Sequence, residues 1–250
     1  LIERGRIVTP FRSASMPEMF RPLRDSTIEG WVDRLGFDDW LHLTSSHPWT
    51  RGPSHDRHNV LATELGLRIA ETCDVAMIVG ERLSAHTMIS PTPFAGQSKF
   101  ASADATVVRH DGMRIAIEVT ASHVAETTRR KIARWVELLR ANIDNRGIAV
   151  CFVEAGGMRD TEVFRVLRTE IAQAVASEPN RKVKAMLSES LTVARWRWWF
   201  PQLDETSDRF ANLEVSRVNR HGDWVPSALL DPYEVDSPTS DQSFIIGEAE

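Results

Sequence analysis

The stretch Ser102 to Thr120, SADATVVRHDGMRIAIEVT, constrains this chain most, because it reads as a β-hairpin carrying one acid on each strand, Asp104 and Glu118. Ala105 to Arg109 and Met113 to Val119 are rich in β-branched and apolar residues, and His110-Asp111-Gly112 between them supplies turn chemistry. A three-residue loop centred on Asp111 sets Asp104 opposite Glu118, since each lies seven positions from Asp111. Opposed hairpin residues carry Cβ atoms about 5 Å apart, within reach of one shared divalent cation. A two-residue Asp111-Gly112 turn instead sets Ala105 against Glu118 and, without a bulge, separates the acids. Register decides whether the hairpin builds a site, and a solvated hairpin with two surface acids is the plain alternative.

The flanking segments give the hairpin a context. Before it, Asn59 is a candidate N-cap for an amphipathic helix with Leu61, Leu65 and Ile69 on one face, and Asp74 to Val79 reads as a short buried strand. A connection over 80–99 contains Pro91, Pro93 and Gly96. After the hairpin, Ser122 caps a predicted helix to about Asn142, whose buried stripe is Val124, Ile132, Trp135, Val136 and Leu139. Gly147 to Val153 is a near-continuous apolar run, the habit of a central strand covered on both faces. Thr161 to Ala176 reads as a further amphipathic helix and Lys184 to Leu187 as a short strand, while Val193 to Phe200 is aromatic and basic with its type open.

Three regions follow from composition. Residues 1–57 form an arm with one predicted helix over 26–43, residues 58–200 form the main α/β domain, and residues 201–250 form an acidic C-terminal extension. From Pro201 on there are eleven acids and three bases, a net −8, which leaves 27 bases and 24 acids, a net +3, in the first 200 residues. The extension is expected to be extended or partly disordered, with Trp224 and Tyr233 able to pin it to the body. A total of −5 argues against a protein that coats nucleic acid over its whole surface. With no run of eighteen apolar residues and no signal-peptide core in LIERGRIV, a soluble cytoplasmic protein without a membrane partner is expected.

Other constellations carry less. Cys73 and Cys151 are isolated in apolar segments and read as reduced core thiols. His42, His47, His55 and His58 match no zinc spacing, and Ser84 with His86 or Ser122 with His123 lack a nucleophile elbow. Gly156-Gly157 lacks the Lys-Ser/Thr of a phosphate loop.

The order helix, strand, hairpin, helix, strand, with Asp104 in SADAT and Glu118 in EVT, resembles the PD-(D/E)xK nuclease superfamily. That resemblance implies a restriction-endonuclease-like mixed sheet flanked by helices, an αβββαβ core. In the superfamily an Asp opens the second core strand, and a Glu two residues before a Lys lies on the third. Here Ala103 stands where proline is common and Thr120 where the lysine belongs. Within the superfamily, HNVLATEL, then SADA, then EV, then a basic helix, is similar to replication-relaxation proteins of actinobacterial plasmids and phages, in which a winged-helix module typically precedes the nuclease-like domain. LIERGRIV would match the end of such a module.

The resemblance implies a DNA-acting protein of a mobile element, with Mg²⁺-dependent nicking of DNA. Asp104 and Glu118 would hold the metal, with Glu64 on the preceding helix as a third acid or, equally, an ordinary exposed glutamate. Carboxylates are the hard oxygen ligands Mg²⁺ prefers, and the metal polarises phosphate and acidifies water. Glu118 and Thr120 share a strand face while Ile117 and Val119 point into the core. Threonine cannot stabilise developing charge, so Lys131 or Arg130 on the next helix is expected to reach back as the cationic group. Arg129, Arg130 and Arg134, with Arg195 and Arg197 among Trp196, Trp198 and Trp199, form a candidate DNA-binding surface, the alternative being a solvated helix face over a tryptophan core. The competing functional reading is a binding or assembly module that keeps the fold without catalysis and meets a second copy or a protein partner through its C-terminal tail.

Overall fold

In the computed structural model of the chain, which describes residues 11–13, 16–19, 53–90, 92, 102–120, 125–144, 147–155, 161–201 and 206–230, the acid-bearing hairpin adopts the three-residue register. Two compact units are present, Leu1–Asn59 and Val60–Glu250. In the first, β1 (Phe11–Ser13) pairs antiparallel with β2 (Met16–Met19). The LIERGRIV segment, the predicted helix over 26–43, His42, His47, the side chain of His55, Ser122-His123, Gly156-Gly157 and Tyr233 lie outside the described residues.

The second unit is a seven-stranded mixed sheet flanked by helices. Helix α1 (Pro53–Thr72) starts six residues before the predicted cap at Asn59. Its Leu65 and Ile69 are buried at helical spacing. Strand β3 (Met77–Gly80) leads through a 3₁₀ turn and the short α2 (His86–Ile89) to β4 (Ala105–Val108) and β5 (Arg114–Thr120). These three strands form an antiparallel meander. Helix α3 (Ala125–Ala141) then carries the chain over to β6 (Ile148–Glu154), which runs parallel to β5. A parallel neighbour demands such a crossover, and an amphipathic helix covers the sheet as it crosses. Helices α4 (Thr161–Ser177) and α5 (Arg181–Ser190) make the second crossover, to β7 (Leu191–Arg195), again parallel. After the short α6 (Trp196–Trp199) and α7 (Asp208–Ala211), strands β8 (Glu214–Val218) and β9 (Trp224–Ala228) close the sheet as antiparallel neighbours. The order is β3-β4-β5-β6-β7-β8-β9.

Strand β6 is fourth of seven and buried along its whole length, as its apolar run predicts. Alternation divides the core into two layers. Ala116, Val150, Phe152, Leu191 and Val193 face α3, α4 and α5, meeting Ile132, Trp135, Leu167, Ile171 and Leu187. Ile115, Ile117, Val119, Ala149, Cys151 and Val153 face the opposite way, against Leu65 and Ile69 of α1 and Trp199, Phe200 and Phe210.

Two sequence expectations are corrected. Lys184 to Leu187 is helical within α5: Asn180 caps it, accepting from the backbone N–H groups of Lys182 and Val183, and Val183, Met186 and Leu187 are buried at i, i+3, i+4. The strand comes just after, at Leu191–Arg195, and the aromatic segment turns helical at Trp196. Residues 206–230 are also no extended tail. They add α7 and the last two strands, with Phe210, Leu213, Val215, Val218 and Leu229 buried, and Trp224 packs on the core.

The β4–β5 and β8–β9 hairpins are closed by the same turn. At the first, Gly112 N–H donates to Arg109 O at 2.9 Å and Arg109 N–H to Met113 O at 2.9 Å, with Gly112 at φ +83°. At the second, Gly222 N–H donates to Asn219 O at 3.0 Å and Asn219 N–H to Asp223 O at 2.8 Å, with Gly222 at φ +92°. Each is a three-residue loop with glycine in the left-handed third position. An added Cβ meets nothing within 4 Å at either glycine. Gly112→Ala and Gly222→Ala are therefore expected to lower stability by about 1–2 kcal/mol each through backbone conformation alone. Urea denaturation midpoints equal to wild type would refute this account of the turns.

Candidate active site

The hairpin register pairs Ala105 with Ile117, Thr106 with Ala116 and Val108 with Arg114, so Asp104, one residue before β4, falls opposite Glu118. Asp104 N–H donates to Ile117 O at 3.0 Å, extending the ladder past the end of β4. Its carboxylate turns onto the partner strand, where Oδ2 accepts from Val119 N–H at 2.6 Å. That charge-assisted bond fixes one oxygen of Asp104 beside the base of the Glu118 side chain.

Glu118 lies on the sheet face covered by α3 and is 1% exposed. Burying a carboxylate is costly unless both oxygens find partners. Helix α3 supplies two from consecutive turns: Trp135 Nε1–H donates to Oε1 at 2.7 Å, and Lys131 Nζ stands 2.5 Å from Oε2. Residues four apart lie on one helix face, so this pairing is built into the helical spacing. Burial, with the Asp104 charge adding to it, pushes the Glu118 carboxyl above its usual range against the opposing pull of Lys131 and Trp135. Burial works against the Lys131 ammonium, but the Glu118 and Asp104 charges outweigh it and hold its pKa above the ordinary lysine value. The Lys131 side chain is 32% exposed, so it stands between the buried acid and solvent.

His86 of α2 completes the enclosure, its ring 4.4 Å from the Trp135 ring. Burial, then the positive charges of Arg134 and Lys131, depresses its pKa to about 4, so at neutral pH it is an uncharged wall. The segment carrying it is fastened to the one carrying Asp104: Ala103 N–H donates to Ser84 O at 2.9 Å, and Ser84 and Thr106 hydroxyls meet at 2.9 Å. Ser84 and His86 thus serve as scaffold.

Asp104, Glu118 and Lys131 are therefore brought together. Thr120, at the end of β5, shares the Glu118 face, and the ammonium at Glu118 is that of Lys131 from α3. Glu64 is placed differently. Its helix packs Leu65 and Ile69 against the opposite sheet face, and its carboxylate accepts from Arg68 Nε at 2.8 Å. Among the described residues no three His, Cys, Asp or Glu side chains group as metal ligands. The donor set present is two carboxylates, one with an oxygen bonded to backbone and one held by Trp135 and Lys131. It fits Mg²⁺, which takes one or two carboxylates and completes its shell with water and phosphate oxygens.

Of the candidate DNA-binding arginines, three are ion-paired: Arg129 with Glu170 at 2.7 Å, Arg130 with Glu126 at 3.1 Å and Arg195 with Glu154 at 3.0 Å. Arg134 and Arg197 are exposed. The tryptophan segment is split, with Trp199 fully buried and Trp196 and Trp198 partly so. Sequence reasoning placed Trp135 in the buried stripe but missed its bond to Glu118; its spacing of four from Lys131 was the available signal.

Two measurements check this geometry. Trp135→Phe leaves Glu118 Oε1 without its donor and should cost about 1–3 kcal/mol, and clearly less in a Glu118→Ala background; additive effects would show that the two side chains do not interact. The second concerns pH. Because the folded chain holds a proton on Glu118 that the unfolded chain releases near 4.5, rising pH removes stability from the wild type as Glu118 ionises in the folded state. Glu118→Gln has no such proton. The stability difference between wild type and Glu118→Gln should shift against the wild type from pH 4.5 toward neutrality, and a flat difference would refute the raised carboxyl.

Comparison of the chain with protein-family models, with curated proteins and with solved structures finds no match, so the fold and site stand on the geometry above.

Proposed function

We propose that this chain is a DNA-acting protein with a restriction-endonuclease-like core, of the replication-relaxation kind found in mobile elements, and that Asp104, Glu118 and Lys131 form a phosphodiester-cleaving site that nicks DNA with Mg²⁺. The observation that carries the reading is the Lys131 ammonium 2.5 Å from Glu118, on the strand position opposite Asp104. Two acids and a cation at one sheet end supply the residue types that the EVT strand alone lacks. The order helix, antiparallel three-strand meander, crossover helix, parallel strand supports the same reading.

The residues divide the work. Asp104 and Glu118 would hold the metal, which when bound lowers the pKa of a water and draws charge from the phosphate. Hydrolysis adds the water oxygen to phosphorus and releases one ester oxygen, which gains a proton. Lys131 places positive charge where the phosphorane-like charge grows, and its partial exposure lets a phosphate approach it from solvent. Trp135 holds Glu118 in one orientation.

Incubating the protein with supercoiled plasmid and Mg²⁺ tests this. Nicking by the wild type and a fall of about 100-fold or more in Asp104→Ala and Lys131→Met are expected. Equal rates in all three would remove the hydrolytic reading. The non-catalytic alternative has one observation in its favour, that Trp135 and Lys131 already engage both Glu118 oxygens. It requires the absence of nicking, with DNA affinity unchanged by the same substitutions for a binding module, or no DNA affinity and a second copy or protein partner for an assembly module.

A further inference from the structure

We infer that the surface formed by Phe164, Arg168 and Trp224, continued by Arg195 and Trp198, is a stacking platform for single-stranded nucleic acid, an inference that rests on the DNA-acting reading but not on hydrolysis. A cleft of about 490 Å³ opens along α4, lined by Phe164, Arg165, Arg168, Thr169, Ala172 and Trp224. Its volume lies within the roughly 300–1,000 Å³ of small-ligand sites. Its chemistry is aromatic and cationic rather than plainly apolar.

The Arg168 guanidinium lies 4.7 Å from the Trp224 ring and 5.7 Å from that of Phe164. Arg195 covers the same Phe164 ring at 5.0 Å, and Trp198 meets it edge-on at 5.3 Å. The guanidinium groups lie over the rings and bring positive charge to an aromatic surface, the combination on which bases stack and phosphates are held. Arg168 also differs from its neighbours in charge balance. Arg129, Arg165 and Arg195 each have a glutamate partner. Among the described residues no carboxylate pairs with Arg168, and its buried Nε has no hydrogen-bond partner. An arginine held by rings and left without an acid suits a phosphate, and the rings beside it suit the attached base.

Position strengthens the assignment. Thr120, Glu154 and Arg195 are successive partners across β5, β6 and β7, on the sheet face that also bears Glu118. Two strand spacings, about 10 Å, therefore separate the end of β5 from Arg195. A few nucleotides span that gap, so a strand lying on the platform passes the carboxylates. Only an unpaired strand offers base faces for stacking, which is why the occupant is single-stranded.

The test is fluorescence anisotropy of a labelled oligothymidylate of roughly 20 nucleotides, in EDTA, with Glu118→Gln protein so that cleavage plays no part. Tenfold or greater weakening is expected when Arg168→Gln or Phe164→Leu is added, with Arg168→Lys intermediate because it keeps the charge and loses the plane. Urea midpoints of the variants identify any that fail to fold, and Arg168→Lys leaves the rings intact. Affinity unchanged by all three substitutions, or tighter binding of a duplex of equal length, would overturn the platform. Loss of plasmid nicking with this affinity retained would remove the hydrolytic reading alone.

Discussion

A carboxylate buried on a helix-covered sheet face sets the terms for the rest of this structure. Glu118 shares that layer with Ala116, Phe152 and Ile132, where an unpartnered charge would be prohibitive. Trp135 and Lys131 remove the difficulty only if α3 crosses β5 at one height and one rotation. The ion pair thus positions the helix rather than adding stability, because well-packed apolar side chains in its place would serve about as well.

The same acid depends on a turn some distance along the strands. A slip of one residue in the hairpin would carry Glu118 to the face lined by Leu65 and Ile69 and bring Ile117 beneath α3. What prevents the slip is local. Gly112 takes the left-handed conformation, Asp111 Oδ1 accepts from Met113 N–H at 3.1 Å, and Asp111 Oδ2 pairs with Arg109 at 2.6 Å. Arg109 itself is buried and donates to Leu229 O at 3.2 Å, which ties the turn to the end of the last strand.

These local devices explain what was legible in the sequence. His110-Asp111-Gly112 announces the turn but leaves two registers open, and the apolar run at Gly147 to Val153 announces a central strand, because backbone conformation and two-sided burial leave direct marks on residue choice. The family resemblance pointed to Lys131 or Arg130 as a cation reaching back to the strand, and of the two it is Lys131 that meets Glu118 while Arg130 pairs with Glu126. Misreadings arose where the mark was diluted. Lys184 to Leu187 is a short, largely apolar run that four residues cannot assign, and the Asn180 cap with its i, i+3, i+4 apolar set shows a helix. The hairpin at 214–228 was hidden by the acidity averaged over 201–250, although Asn219 to Asp223 repeats the glycine-containing loop of the first hairpin. The placement of Glu64 lay beyond local pattern altogether, because which sheet face a helix covers is settled by tertiary packing.

Two buried acids at the same end of the sheet invite comparison. Glu118 is held by Lys131, and Glu154, 3% exposed, is held by Arg195 at 3.0 Å. They are alike in burial and in drawing a cation from a neighbouring element, but the cations are not equivalent. The Arg195 guanidinium is planar and delocalised, so it pairs with Glu154 and lies over the Phe164 ring at once. A lysine ammonium is a compact point charge that can give up a proton, and Lys131 is the one of the two facing a second acid, Asp104. Lys131 is therefore the cation that couples two acids at this strand end, while Arg195 joins Glu154 to the ring of Phe164.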